Sequence, residues 1–275
     1  MKNEKKPITA AICYDFDGTL SPGNMQEHSF IKELNIPPAV FWGWVNDSCA
    51  KNKADPILTY MYLMKREKEK TGQKLTKESL KNAGKDIPFF PGVPEWFNRI
   101  NAYASARGIV LEHYIISSGL KEIASGCAIA PFLKEIFASS YAYDDSGAAV
   151  WVANAINYTN KTQFLYRINK GCFDLGDHVT INKHMPADEK YVPFRHMIYI
   201  GDGETDVPSM RVIRSEGGYA IAVYSGGKEK VMPLLSDNRV DMVAPADYCA
   251  DGVLDSFIKV ILDKIQIDAK LKDLT

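Results

Sequence analysis

The feature that most constrains this chain is residues 13–20, which read CYDFDGTL. The apolar run before it, residues 8–13, predicts a buried β-strand. Asp15 and Asp17 then follow on alternate positions, and Gly18 permits a turn that ends the strand. Open α/β sheets bind ligands at the carboxyl ends of their strands, so these carboxylates are candidates for a site. Taken alone, the stretch also fits an ordinary strand end with a solvated acidic turn.

A site built from Asp15 and Asp17 would need a positive charge. Carboxylates this close repel each other unless a cation lies between them or one of them holds a proton. Hard oxygen ligands of this kind suit Mg²⁺. The residues therefore favour Mg²⁺ as a cofactor.

The composition excludes several partner classes. The chain has 275 residues and a formal net charge of -1, so we expect neither nucleic acid nor an anionic membrane as a partner. Its five cysteines are scattered without a C-x-x-C pair, which indicates reduced thiols and argues against a zinc site. Residues 1–6 are basic, but the apolar run after them is too short for a signal peptide. We therefore expect a cytoplasmic protein.

The order of predicted elements indicates an α/β fold with an insertion. Residues 25–85 are helical in pattern and contain no strand signal; we expect helices at residues 38–50 and 56–70, and a further short helix with Thr76 as its N-cap. Strands and helices alternate from about residue 93 onward, with a short helix expected at residues 132–136. We predict a Rossmann-like, mainly parallel sheet with helices on both faces, and a small α-helical unit inserted after the first strand. The predicted domains are residues 1–20 with 88–275, and residues 21–87.

A second acidic cluster lies in residues 201–206, which read GDGETD. A dinucleotide fingerprint would need a small residue where Asp206 stands, so that interpretation is disfavoured. Asp202, at the end of a predicted strand, could instead complete a magnesium site with Asp15. Asp206 precedes Val207 and Pro208, so it fits a helix N-cap, the surroundings of the metal, or both.

Two further residues fit a phosphate site. Ser117 ends an apolar strand and is followed by Ser118, Gly119 and a predicted helix, whose free N–H groups favour anions. Lys161 lies near another helix start, where a solvated lysine is the ordinary case. A site for phosphoryl transfer would nevertheless need such a cation to balance the charge of the transition state.

In this order, the four stretches resemble the haloacid dehalogenase (HAD) superfamily of phosphohydrolases. The match covers roughly residues 7–20 and 90–262 and rests on residues 15–19, Ser117, Lys161 and residues 201–206. The helical insertion resembles the C1-type cap of the phosphoserine phosphatase-like branch.

The resemblance implies a role for each matched residue. Asp15 would be the nucleophile that forms an aspartyl-phosphate, and Asp17 the general acid and base. The phosphoryl oxygens would be held by Ser117 and Lys161, with Ser118 and Gly119. Mg²⁺ would be bound by Asp15, the backbone carbonyl of Asp17 and Asp202, with Asp206 beside them. An acidic cap residue binds the substrate amino group in that branch; Glu27 is the candidate here, and Asn24 is the other residue that fits the position.

We therefore predict a Mg²⁺-dependent phosphomonoester hydrolase that acts on a small phosphorylated metabolite. A phosphotransferase or phosphomutase of the same fold, and a non-catalytic phosphate-binding regulatory module, are the alternatives. The helical cap is expected to open and close on linkers near residues 21–24 and 87–92. The residues leave open the substrate, the oligomeric state and the role of residues 171–194.

Overall fold

The computed structural model of the chain describes residues 7–272 and Leu274. Its centre is a seven-stranded sheet in the order β4-β3-β2-β1-β5-β6-β7. Neighbouring strands are parallel except for β3 and β4, which are antiparallel. The strands are β1 (Ile8–Tyr14), β2 (Ile109–Leu120), β3 (Glu135–Tyr143), β4 (Ala149–Asn154), β5 (Met197–Gly201), β6 (Tyr219–Tyr224) and β7 (Met242–Pro245). The predicted α/β class with a mainly parallel sheet is confirmed.

Helices precede and follow the strands along the chain. They are α1 (Met25–His28), α2 (Phe30–Glu33), α3 (Pro38–Asn52), α4 (Pro56–Lys70), α5 (Lys77–Ala83), α6 (Val93–Ser105), α7 (Lys121–Gly126), α8 (Lys161–Lys170), α9 (His178–Asn182), α10 (Val207–Ser215), α11 (Met232–Ser236) and α12 (Val253–Lys272). None of the helices in the described part of the chain has the length and apolar character needed to cross a membrane.

The central strand β1 is buried on both of its faces. Successive side chains of a strand point to opposite faces, and here Ile12 and Tyr14 belong to one hydrophobic cluster while Ala11 and Cys13 belong to another. The first cluster includes residues of α6, α7 and α12, and the second includes residues of α8, α10 and α11. Helices therefore cover both faces of the sheet, as predicted.

The insertion between β1 and α6 is helical. Within residues 21–87, all of which the structure describes, α1 to α5 are the regular elements. The helices predicted at residues 38–50 and 56–70 are confirmed as α3 and α4. The division into domains stays a prediction, and its residues 1–6, 273 and 275 lie outside the described residues.

Helix α5 begins where the sequence predicts. The Thr76 hydroxyl accepts a hydrogen bond from the backbone N–H of Ser79 at 3.1 Å, and the Ser79 hydroxyl accepts one from the N–H of Thr76 at 3.2 Å. These two bonds satisfy N–H groups that lack partners inside the helix. Thr76 is thus confirmed as the N-cap.

Two tyrosines tie the insertion to the core. The Tyr60 hydroxyl donates to the carbonyl oxygen of Ser118 at 2.7 Å, from α4 to β2. The Tyr141 hydroxyl of β3 donates to the carbonyl oxygen of Met61 at 2.6 Å. Since these side chains are buried, the two bonds fix where α4 lies over the sheet.

The chain just before α5 also runs beside the outer edge of the sheet. The N–H of Lys77 donates to the carbonyl of Gly147 at 3.0 Å, and the N–H of Ala149 donates to the carbonyl of Leu75 at 2.8 Å. Thr76 and Ala148 form an antiparallel bridge between them. The insertion therefore pairs with the first residues of β4.

Three local features differ from or refine the sequence expectation. The helix expected at residues 132–136 is wrong: a single 3₁₀ turn covers Ala130–Phe132, and β3 begins at Glu135, where pairing with β2 supplies its backbone partners. Ser118 and Gly119 lie within β2, and α7 begins only after them. Residues 171–194 contain the short helix α9, whose start is capped by the carboxylate of Asp177.

We expect Thr76→Ala to lower the free energy of unfolding by about 1 kcal/mol, because it removes the side-chain cap of α5. Urea denaturation followed by circular dichroism measures this change. Thr76→Ser keeps the hydroxyl and is the matched control, so it should retain most of the stability. Equal losses in the two variants would show that the capping bond contributes nothing.

Candidate active site

Three neighbouring strands bring the first group of predicted residues together. Tyr14 at the end of β1 pairs with Ile115 of β2 and with Ile200 of β5. The N–H of Asp15 donates to the carbonyl of Ile200 at 2.9 Å, which holds Asp15 at the sheet edge. Ser117 lies in the last part of β2, three residues before its end at Leu120, and Asp202 directly follows β5. This edge is the carboxyl end of the parallel sheet, as predicted.

A cavity of about 410 Å³ opens at this edge, and we call it the main cavity. It is lined by Asp15, Asp17, Gly18, Gly23, Asn24, Ile57, Ser117, Ser118, Asn157, Tyr158, Asp202, Thr205 and Ser225. The predicted nucleophile, the predicted acid and one predicted metal ligand therefore face the same space.

Lys161 lies fully buried beside the nucleophile. Its Nζ is 3.0 Å from Oδ2 of Asp15 and 2.8 Å from Oδ1 of Asp206. Burial disfavours the charged ammonium, but the two carboxylates outweigh burial and raise the pKa of Lys161. Lys161 is thus a buried cation between two acids, and the interpretation of a solvated lysine is wrong.

Asp206 orients its neighbours and does not cap a helix. Its Oδ1 accepts from the Tyr199 hydroxyl at 2.7 Å as well as from Lys161, and its Oδ2 accepts from the N–H of Asp202 at 3.2 Å. It precedes α10, but its side chain makes no capping bond there. The helix-cap interpretation is therefore wrong, because the buried ammonium of Lys161 is the stronger partner.

Three carboxylates could share a cation. Ligand atoms of Asp15, Asp202 and Asp206 all lie within 4.8 Å of one another. Burial and the charge of Asp206 raise the pKa of Asp15 to about 6, against the lowering effect of Lys161. Burial and the charge of Asp15 raise the pKa of Asp202 to about 7. This hard, anionic oxygen set fits Mg²⁺. The backbone carbonyl of Asp17 as a further ligand stays a prediction.

The start of α1 and the burial of Asp17 set the orientation and acidity of its side chain. Its Oδ1 accepts from the N–H of Met25 at 2.8 Å, so the start of α1 orients the side chain. Burial and the charge of Asp15 raise the pKa of Asp17 well above its usual range. A raised pKa favours the protonated form of a carboxyl group, which is the form that a general acid needs.

Gly18 allows the two acidic turns to approach each other. Its φ is +75°, in the left-handed region, and a Cβ on it would lie 2.1 Å from Oδ2 of Asp202. Any side chain here would therefore displace a predicted metal ligand.

The predicted phosphate-binding residues are only partly brought together. Ser117 is buried, and its Oγ accepts from the N–H of Gly119 at 3.0 Å, which leaves the hydroxyl hydrogen to be donated into the main cavity. Ser118 lines the same cavity, but Gly119 does not. Because β2 continues through both residues, the expected helix N-terminus does not lie at this point.

A second, smaller cavity adjoins the first, and we call it the side cavity. Its volume is about 190 Å³, and it is lined by Asp17, Asn24, Gln26, Trp42, Val45, Asn46, Pro56, Ile57, Tyr60, Ser118 and Gly119. The two cavities share Asp17, Asn24, Ile57 and Ser118. The side cavity is thus formed mainly by the helical insertion and reaches the predicted acid.

The two cap residues singled out from the sequence have different places. Asn24 lines both cavities, whereas Glu27 lines neither. The Oε1 of Glu27 accepts from Nδ2 of Asn24 at 2.7 Å and from Nε1 of Trp42 at 2.6 Å. Glu27 therefore orients two residues of the side cavity and does not itself face it.

Sequence reasoning missed several residues that line the cavities. Asn157 is an example: its Nδ2 donates to Oδ2 of Asp55 at 2.7 Å, which joins the start of α4 to the segment before α8. The other missed residues include Gln26, Ile57, Tyr158, Thr205 and Ser225. No local pattern marks them: Gln26 and Ile57 reach the cavities through the packing of the insertion, whereas Tyr158, Thr205 and Ser225 lie in segments that follow β4, β5 and β6.

No family model matches the chain. A protein of Borreliella burgdorferi that is described as uncharacterized is 28% identical in an alignment that covers 90% of this chain and 93% of that protein. This similarity extends over nearly the whole chain, including the helical insertion.

Several solved structures share the fold at low sequence identity. A HAD family hydrolase from Salmonella enterica serovar Typhi is 18% identical with a TM-score of 0.57 and covers 93% of this chain and 72% of its own. A phospho-aspartyl intermediate analogue of phosphoserine phosphatase is 16% identical with a TM-score of 0.53, covering 92% and 99%. A probable phosphoserine phosphatase from Vibrio cholerae is 13% identical with a TM-score of 0.58, covering 97% and 68%. The chain therefore has a HAD-type, phosphoserine phosphatase-like fold.

We expect Mg²⁺ to stabilise the protein more at pH 8 than at pH 5. The raised pKa values of Asp15 and Asp202 mean that the metal-free fold binds protons that the unfolded chain, with carboxyl pKa values near ~4, releases. The stabilisation of the metal-free fold by protons on Asp15 and Asp202 is present below about pH 4 and is lost as the pH rises through about 6 to 7. A bound cation replaces the protons.

The melting temperature in EDTA and in excess Mg²⁺, at each of the two pH values, measures this effect. Asp202→Asn is the comparison variant: it removes one carboxylate, so the gain from Mg²⁺ should shrink. An identical gain from Mg²⁺ at both pH values in the wild type would contradict a cation site at these carboxylates.

Proposed function

We propose that the protein is a Mg²⁺-dependent phosphomonoester hydrolase that acts through an aspartyl-phosphate at Asp15. One observation carries the proposal: Asp15 lies between the ammonium of Lys161 and the cavity that Asp17 and Ser117 also line. A site for phosphate binding alone would need neither a carboxylate nucleophile nor a protonated acid. The reaction then divides into two steps.

In the first step, a carboxylate oxygen of Asp15 attacks the phosphorus atom. The bond from phosphorus to the ester oxygen breaks, and Asp17 gives its proton to that oxygen, so the alcohol leaves neutral. The N–H of Phe16 donates to Oδ1 of Asp15 at 2.8 Å, and Lys161 holds Oδ2, so both oxygens are fixed before the attack.

In the second step, water attacks the phosphorus atom of the aspartyl-phosphate. Asp17, now ionised, takes a proton from that water, and the bond between phosphorus and Asp15 breaks to release inorganic phosphate. Asp17 ends the cycle protonated and Asp15 ends it ionised. The raised pKa of Asp17 suits the first step, and its nearness to Asp15 suits the second.

Charge balance requires more than one cation. A carboxylate and a phosphate dianion repel each other, and Mg²⁺ held by Asp15 and Asp202 would supply the charge that lowers this repulsion. Lys161 provides a second positive charge that the protein itself holds in place. Ser117 can donate its hydroxyl hydrogen to a phosphoryl oxygen in the main cavity.

The comparisons support the same reaction class. Proteins named as HAD hydrolases and phosphoserine phosphatases share the fold over most of this chain, and one of those structures is an analogue of a phospho-aspartyl intermediate. The substrate we propose is a small phosphorylated metabolite, because the main cavity measures about 410 Å³. A cytoplasmic location and the absence of nucleic-acid and membrane partners remain expectations from the sequence.

Hydrolysis of p-nitrophenyl phosphate tests this proposal. We expect Asp15→Asn to lower kcat/KM at least about a thousandfold, because the nucleophile is lost. Asp17→Asn should lower it by about a hundredfold or more, since it removes the acid and base. EDTA should abolish the activity, and added Mg²⁺ should restore it.

Asp47→Asn is the matched control, because Asp47 is an exposed cap residue. It should keep the wild-type rate. A folded, Mg²⁺-loaded protein that hydrolyses nothing would refute the proposal. Release of p-nitrophenol that exceeds release of phosphate when glycerol is added would instead indicate a phosphotransferase.

A further inference from the structure

We infer that Asp55 and Asn157 are positioning residues: the hydrogen bond between their side chains holds the first turn of α4 at the wall of the main cavity and thereby strengthens substrate binding. The kinetic consequence of this inference rests on the proposed function. Three observations carry it, namely the bond itself, the anchoring of each partner, and the cavity residue that the first turn of α4 contributes.

The bond joins two segments that are far apart in the sequence. Nδ2 of Asn157 donates to Oδ2 of Asp55 at 2.7 Å, across 102 residues. Asp55 lies in the insertion directly before α4, whereas Asn157 lies in the core between β4 and α8. A carboxylate acceptor makes the bond charge-assisted, and such bonds are stronger than neutral ones. The bond therefore ties the insertion to the core at this point.

Asp55 uses its two carboxylate oxygens for different contacts. Oδ1 accepts from the N–H of Ile57 at 2.8 Å and from the N–H of Leu58 at 3.0 Å, and so caps α4. Oδ2 accepts from Asn157. The backbone carbonyl of Asp55 also accepts from the N–H of Thr59 at 3.0 Å. Since the carboxylate is fixed to the first turn of α4, the contact of Oδ2 with the core sets the position of that turn.

Asn157 is fixed to the core. Its N–H donates to Oδ1 of Asn160 at 2.8 Å, and its carbonyl accepts from the N–H of Lys161 at 3.2 Å. Nδ2 of Asn160 donates to the carbonyl of Ala155 at 2.9 Å. These three bonds hold the segment before α8 in one conformation, so the core supplies a fixed donor to which the insertion can bind.

The first turn of α4 forms part of the wall of both cavities. Ile57 lines the main cavity and the side cavity, and Pro56 lines the side cavity. Asn157 lines the main cavity, whereas Asp55 lines neither. Without the bond, the first turn would have to be ordered when the substrate binds, and that ordering costs affinity. The bond therefore acts on substrate binding through the position of Ile57.

The other polar contacts between α4 and the core lie further along the helix. The bonds from Tyr60 and Tyr141 hold α4 at residues 60 and 61, about 8 Å along the helix axis from Asp55. Both tyrosines are buried, whereas Asp55 and Asn157 are half-buried. Water can therefore replace the bond between Asp55 and Asn157, and we expect its loss to leave the overall fold intact.

Asp55→Ser tests the inference, because serine is also a good N-cap but has no second oxygen for Asn157. We expect KM for p-nitrophenyl phosphate to rise at least about fivefold and kcat to stay within about threefold of the wild type. The reason for this division is that Asp15 and Lys161 hold each other independently of Asp55. Asn157→Ala removes the donor and should have the same effect.

The double variant Asp55→Ser/Asn157→Ala separates the bond from a direct contact of Asn157 with the substrate. We expect its KM to equal that of either single variant within about twofold, because all three lose the same bond. Asp177→Ser is the matched control: Oδ1 of Asp177 caps α9 by accepting from the N–H groups of Val179 and Thr180, and Asp177 lines neither cavity. It should keep the wild-type KM.

Amide hydrogen exchange measures the same bond without a substrate. In Mg²⁺, peptides that cover residues 55–61 should exchange at least about threefold faster in Asp55→Ser and in Asn157→Ala than in the wild type, and Asp177→Ser should not change them. Exchange rates that equal those of the wild type in both variants would show that the bond does not hold the first turn of α4.

The outcomes separate this inference from the proposed function. Hydrolysis of p-nitrophenyl phosphate with an unchanged KM in Asp55→Ser and Asn157→Ala would overturn the inference alone. A KM that rises in Asn157→Ala but not in Asp55→Ser, or effects that multiply in the double variant, would also overturn it. If the folded wild type hydrolysed nothing, the proposed function would fail, while hydrogen exchange would still decide whether the bond holds α4. Asn157→Ala leaves the cap of α4 intact, so it decides the question even if Asp55→Ser does not fold.

Discussion

The contact between the buried ammonium of Lys161 and two carboxylates is what allows this site to exist. Asp15, Asp202 and Asp206 converge at one edge of the sheet, and without a cation their mutual repulsion would force them apart or keep them protonated. Lys161 arrives on α8, Asp15 on β1 and Asp206 after β5, so one ion cluster links three elements. Losing one member of a buried cluster of this kind typically costs about 3–5 kcal/mol. The cluster therefore stabilises the fold as well as bringing the three carboxylates of the candidate site together.

The sequence predicts that Asp15 and Asp202 lie at the same edge of the sheet. The reason is that the carboxyl ends of parallel strands all lie at one edge, and both residues follow such strands. The sequence does not decide between a helix cap and the surroundings of the metal for Asp206, since its side chain is held by Lys161, 45 residues earlier. The end of β2 predicted from the sequence, at Ser117, is also too early, because β2 continues to Leu120. The pairing of Leu120 with a residue of β3 extends that strand, and no local pattern shows a partner so far along the chain.

The lining of the side cavity was beyond sequence reasoning for a related reason. Gln26 lies on the short helix α1 and Trp42 on the longer helix α3, and the burial of both depends on how the insertion packs. A glutamine in a helix is ordinarily solvent-exposed. The sheet edge supplies the acidic side chains and the region where Lys161 pairs with them, whereas the insertion supplies most of the lining of the side cavity.

The pairing of residues 75–77 with the first residues of β4 has a consequence for how the protein avoids self-association. Strand β4 is the outermost strand of the sheet and is flanked by β3 on one side only, so its other side presents backbone groups that a second chain could pair with. Leu75 and Lys77 occupy part of that side. An insertion that swung away completely would expose it. Residues 75–77 therefore protect part of the edge of the sheet from pairing with a second chain, in addition to beginning α5.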